Sequence, residues 1–277
     1  TRSIALSVSA ACALAACAQA PASLGLRHEA LSVCADGPTV DGIDVSHWQD
    51  VIDWDAVAAG GVRFAFIRTS DGTATLDREY ARNWAEARRV GILRGTYQFF
   101  RPSADAIAQA DLLLGRMGTL LPDDLPPVID VEAPTPGVDP ATYRASIQAW
   151  LDRVEGATGR IPIIYTGFYY WRDYVGGDFS RYPLWIANYS ATCPDVPDPW
   201  TRWAFFQTSS TGTVPGITGN VDTDLWNGDE ASLDTFAFGV AVCGDGACTG
   251  SETHATCASD CPVCEPIPSA GRTVEES

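Results

Sequence analysis

The sequence predicts an α/β protein, a modified (β/α)8-like barrel whose helices degenerate in the second half, with a small Cys-rich tail. Three observations predict it. Eight short runs rich in β-branched and aromatic residues punctuate the chain, at 42–46, 63–69, 93–100, 127–132, 161–166, 184–189, 203–208 and 221–226. Helix-like spacing fills the early gaps, at 54–59, 77–90, 104–117 and 140–155, whereas the later connections look short or irregular. A length of 277 residues accommodates such a barrel, which commonly needs about 250.

In chain order, residues 1–20 carry one early Arg and then an apolar, Ala-rich run uncharged up to Arg27, the pattern of a secretory signal. Leu14-Ala15-Ala16-Cys17 resembles a lipobox, in which Cys17 would be diacylated and anchor the chain. A plain signal cut further on would discard Cys12 and Cys17 together, and a retained membrane helix is disfavoured because the run is short. Residues 21–40 mix Ala, Pro, Ser and Gly and read as a tether. The barrel domain spans 41–238, with Asp139 placed to cap the fourth helix and Pro140 in its first turn.

Residues 239–277 are too few and too polar to bury a core, so covalent staples must hold them. The spacing C-x4-C-x8-C-x3-C-x2-C, from Cys243 to Cys264, reads as disulfides in an exported chain. Zinc with His254, or calcium on Asp245, Glu252 and Asp260, is the alternative. Without Cys12 and Cys17 an odd cysteine is left over, for which Cys264 is the candidate; Cys34 and Cys193 stand apart and could pair across the domain.

Composition narrows function. Hydrophobic content of 46% marks a globular chain despite its net charge of −17. With 18 basic against 35 acidic residues, a nucleic-acid partner is excluded in favour of neutral or cationic ones. His28, His47 and His254 have no paired ligand spacing, which speaks against a metal-dependent peptidase. No cofactor is expected.

Glycosidic cleavage needs a carboxylic acid to protonate the leaving oxygen and a second carboxylate to stabilise the cationic centre. Val128-Ile129-Asp130-Val131-Glu132 offers such a pair, because residues two apart on a strand share a face. Their mutual repulsion favours keeping a proton on one of them. Asp77-Arg78-Glu79 has the same spacing, but in a helical context its acids should diverge toward solvent. Barrel sites gather at C-terminal strand ends, which favours the first pair. Asp44 on the first strand and Asp222 on the last become neighbours in a closed barrel, with Asp224 ranked behind Asp222. Tyr97, Phe99, Tyr165, Trp185 and Gln207 supply rings and an amide suited to sugar faces, hydroxyls and acetamides.

Taken in order, GIDVSHWQ, RFAFIRTSDG, GILRGTYQFF, PPVIDVE, IPIIYTG, PLWIANY, WAFFQTSS and GITGNVDTDLWNG resemble glycoside hydrolase family 25, the muramidases, from about Val40 to Asn227. The resemblance implies a β/α barrel with Glu132 as general acid, Asp130 as its partner, and Asp44 and Asp222 as supporting carboxylates. It implies cleavage of the β-1,4 bond between N-acetylmuramic acid and N-acetylglucosamine in peptidoglycan, by a monomer acting in the bacterial envelope or outside the cell. Any membrane contact would come through Cys17 alone. Gln98 stands where the family often has His; pointing away from Tyr97, it should tune the site without abolishing it. Substrate-assisted retention and a covalent enzyme intermediate both remain open, with the former preferred. A chitinase-like hydrolase would need an acid at Val128, and an inactive glycan-binding scaffold would not need all four carboxylates.

Overall fold

Alternating apolar residues give each strand one face toward a shared interior, and in the computed structural model of the protein eight strands close on themselves. The structure describes residues 30–238 except 134, 135 and 190. The expected signal with Cys17 and the Cys-rich tail lie outside the described residues. The barrel strands are β1 (Val40–Val45), β2 (Phe64–Asp71), β3 (Leu93–Phe99), β4 (Val128–Asp130), β5 (Ile163–Gly167), β6 (Leu184–Ala187), β7 (Phe205–Gly212) and β8 (Val221–Trp226).

From β1 to β7 each strand pairs in parallel with the next. Strand β8 runs antiparallel to both β7 and β1 and closes the ring. The link at 213–220 explains the reversal, since a parallel crossover needs about a dozen residues or more.

Helices α1 (Trp54–Ala59), α2 (Tyr80–Arg89), α3 (Ala106–Met117) and α4 (Pro140–Thr158) fill the early connections. Asp53, Asp105 and Asp139 cap α1, α3 and α4 by accepting backbone N–H groups that the helices leave unpaired. After β5 the helical layer shrinks to Phe168–Tyr170 and a π turn at Trp171–Val175. A final helix, α5 (Glu230–Ala237), went unread in the sequence although Asp229 caps it through the Ser232 N–H.

Part of the expected tether is docked. Leu31–Ser32 pairs antiparallel with Asp195–Val196, and a disulfide joins Cys34 to Cys193. The carbonyl of Val33 accepts from Trp203 Nε1 at 2.8 Å, so the ordered domain begins before residue 40.

Rings fill the barrel. Phe64, Phe66, Tyr97, Tyr165, Trp185, Phe205 and Trp226 form one buried cluster, each worth about 2–3 kcal/mol of apolar burial. They fit because Gly42 and Gly95 face them: a Cβ on Gly42 would lie 2.2 Å from the Phe64 ring, and one on Gly95 2.5 Å from Phe66. Below, α5 seals the N-terminal end of the parallel strands, with Phe236 5.0 Å from Trp226 and 5.8 Å from Phe205 between ring centroids. Arg94 and Asp124 are buried beside that end, with Nε to Oδ1 at 2.7 Å. Outside the strands, Trp150 of α4 donates to Gln98 Oε1 at 2.8 Å, and Gln98 donates to Ser70 Oγ at 2.9 Å. Gln98 therefore ties the barrel to its helical layer.

Candidate active site

Seven parallel strands present their C-terminal ends at one rim, and the reversed β8 adds its N-terminal end to the same rim. Asp44, near the end of β1, is consequently in register with Asp222, near the start of β8. Asp130 is the last residue of β4. Glu132 lies beyond the strand, so pleat alternation alone does not place it. The Val131 N–H still reaches the Tyr165 carbonyl at 2.9 Å, and both acids border one groove of about 210 Å³.

Asp44 and Asp222 border it too, with Tyr97, Phe99, Tyr165, Trp185 and Gln207. Asp224 does not. Because β8 descends from the rim, the acid one pleat later sits deeper, buried in the barrel, where its Oδ1 accepts from Trp185 Nε1 at 2.9 Å. Trp185 is also less available than its sequence suggested. It is 1% exposed, stacks on Phe66 at 4.5 Å and meets Tyr97 and Tyr165 edge to face, so it builds the floor instead of offering a sugar a free ring.

Gln207 is the hub of the polar wall. Its Nε2 donates to Asp44 Oδ2 at 2.6 Å, while Oε1 accepts from Tyr165 at 2.8 Å and Tyr189 at 2.9 Å. Asp44 is therefore held by hydrogen bonding, whereas Asp130 is buried with its Oδ1 lacking a partner among the described residues. An unpaired buried carboxylate oxygen costs free energy, and a substrate donor would relieve that cost.

Crowding and burial push the groove acids toward their protonated forms. Asp44 is pushed well above the usual carboxylate range by burial and by Asp224 and Asp222, against the Gln207 hydrogen bond. Asp130 is raised well above it by burial and by Glu132, with Arg68 opposing. Burial raises Asp222 to about 6. Glu132 is also raised, by loss of solvent and by Asp222. Glu132 is open to water within the groove, so its desolvation is weaker than that of buried Asp130. Burial lifts the Tyr97 and Tyr165 hydroxyls far above their normal range, keeping them neutral hydrogen-bonding groups.

Ser46, Trp48, Gln49, Arg68 and Tyr189 also border the groove and were not singled out in the sequence. Arg68 was legible, as it follows Phe64 and Phe66 on the inward face of β2; Trp48 follows a strand end, where alternation no longer applies. Arg68 donates from Nε to Asp77 Oδ2 at 3.1 Å and lies 2.5 Å from His47 Nδ1. Since arginine only donates, that His47 nitrogen is the acceptor. Asp77 is thus a buried anchor, 2% exposed, and does not diverge toward solvent as its helical context implied. A larger cavity of about 530 Å³ lies between α1, α2 and the 216–218 turn, but its Arg89 is already paired with Asp55 and Glu86.

Against known proteins, the family model for Glycosyl hydrolases family 25 matches residues 43–217. Lysozyme M1 of Streptomyces globisporus is 37% identical over 210 residues, covering 72% of this chain and 71% of that protein. The uncharacterized protein YegX of Escherichia coli K12 is 39% identical over 207 residues, covering 73% and 75%. Among solved structures, the bacterial lysozyme of Streptomyces coelicolor superposes with a TM-score of 0.70 at 35% identity, over 74% of this chain and 100% of that one.

Proposed function

Because the chain belongs to glycosyl hydrolases family 25 and is a glycoside hydrolase, we propose that its substrate is peptidoglycan, cut at the β-1,4 bond between N-acetylmuramic acid and N-acetylglucosamine. Similarity to Lysozyme M1 and to the lysozyme of Streptomyces coelicolor supports that substrate. One observation carries the assignment of roles: Asp130 and Glu132 border one groove in unequal settings, the first buried with an oxygen unpartnered, the second open to a bound glycan.

Glu132, whose proton is favoured by its surroundings, gives that proton to the leaving oxygen, a step worth about 10²–10⁴-fold in rate. Asp130 accepts the N–H of the substrate's acetamido group, turning the acetamide oxygen onto the anomeric carbon as the glycosidic bond breaks. Water then opens the cyclic intermediate, with Glu132 taking the proton back, so configuration is retained. Asp44 and Asp222 border the same groove and would stabilise the cationic centre as they give up their protons, with Gln207 fixing Asp44 in place.

The Cys34–Cys193 disulfide suits an oxidising compartment and supports action in the envelope or outside the cell. Digestion of purified peptidoglycan followed by borohydride reduction and mass analysis tests the reading. Fragments ending in reduced muramic acid are expected; fragments ending in reduced glucosamine, or no fragments, overturn it.

A further inference from the structure

Trp48 is 75% exposed, and among the exposed large hydrophobic side chains of the described residues only it and Tyr189 border the groove. Leaving that much indole in water is unfavourable, yet the turn presenting it is fixed from several sides. Ser46 Oγ accepts the Trp48 N–H at 3.3 Å, and Gln49 Oε1 accepts the Ser46 N–H at 2.9 Å, a reciprocal cap. Gln49 Nε2 reaches across to the Asn220 carbonyl at 3.2 Å, and Asp77 Oδ2 accepts the His47 N–H at 2.9 Å. The His47 ring lies 4.5 Å from the indole, tilted by 32°, and supports it from one side.

We propose that Trp48 is a prebuilt stacking platform for a pyranose of the glycan strand beyond the pair of sugars being cut, so that it sets how long a strand the enzyme grips. The proposal rests on the peptidoglycan reading and names a contact within it. The occupant follows from what surrounds the ring. The groove continues from Trp48 to Asp44 and Asp222, acids that repel an anionic group wherever they ionise, and its one bordering cation among the described residues, Arg68, is engaged by Asp77. A neutral sugar offers an apolar C–H face to the indole and hydroxyls to the flanking amides and carboxylates. Trp48 is four positions after Asp44, which limits their Cα atoms to about 14 Å, a reach of a few sugar rings.

Binding is read without cleavage in a Glu132→Gln background, by calorimetric titration with N-acetylglucosamine oligomers of increasing length and with peptide-free glycan strands. Affinity should climb with length while Trp48 is present. Trp48→Ala should weaken binding of glycan strands about tenfold, Trp48→Phe should recover most of it, and both should match the parent on the shortest oligomer that binds. Equal affinity of the Ala variant for long strands overturns the proposal, as does a loss of the same size at every length. Failure of the unmodified protein to release muropeptides sinks the muramidase reading instead, and it is scored in a separate assay.

Discussion

The two ends of this barrel treat buried carboxylates in opposite ways. At the sealed end Asp124 has both oxygens occupied, by Arg94 at 2.7 and 3.3 Å and by the Leu121 N–H at 2.9 Å. At the open end Asp130 is also buried, but its Oδ1 has no partner among the described residues and the charge that acts on it most strongly is another acid, Glu132. A residue whose bonds are complete contributes to folding; a residue left incomplete holds its bonding capacity for something that arrives later. For this pair of carboxylates, the satisfied one belongs to the scaffold and the unsatisfied one borders the groove.

Substitution should separate the two classes. Asp130→Asn should lower muropeptide release about 10²–10³-fold while leaving the melting temperature unchanged or raised, because it removes an uncompensated buried acid. Asp124→Ala should cost about 3–5 kcal/mol of stability by stranding the Arg94 charge, with little loss of activity per folded molecule. Denaturant melts and initial rates on both proteins check this, and a reversed pattern breaks the contrast.

Acidification should expose the same difference in the unmodified protein. Asp44, Asp130, Glu132, Asp222 and Asp224 all have raised folded-state pKa values, so their contribution to stability is fully present below the unfolded value and is lost as pH rises through the folded one. For Asp222 that window runs from 3.8 to about 6. The melting temperature should therefore be higher at pH 5 than at pH 7, and Asp222→Asn should flatten the slope. Asp55, Asp139 and Asp229, lowered by surface partners, act only below that window. The smallest effect should come from Tyr189→Phe, which removes one of two hydroxyls on Gln207 and should cost about 1 kcal/mol, a few-fold in rate.

Much of the frame was legible because burial imposes a period on the residues that endure it. The eight strands and the first four helices declared themselves through alternation and capping, and the nearness of Asp44 to Asp222 followed from closure of the ring. The direction of β8 was not legible, since no side-chain pattern encodes it; only the shortness of the 213–220 link does. The Cys34–Cys193 pairing was open to the sequence, but the docking of Leu31–Ser32 on Asp195–Val196 was not, because two-residue strands carry no alternation to read. Trp48 escaped notice because it lies past a strand end, where hydrogen bonds such as Gln49 to Asn220 decide where a ring points, whereas Tyr189 closed the expected run 184–189 and was passed over although it shares the parity of Trp185.

The most direct test is the initial rate of muropeptide release by Glu132→Gln beside the unmodified enzyme, on the same peptidoglycan and at the same pH. A proton donor at Glu132 requires a fall of about 10²–10⁴-fold with the fold intact. Release at an undiminished rate by the folded amide variant would contradict the account.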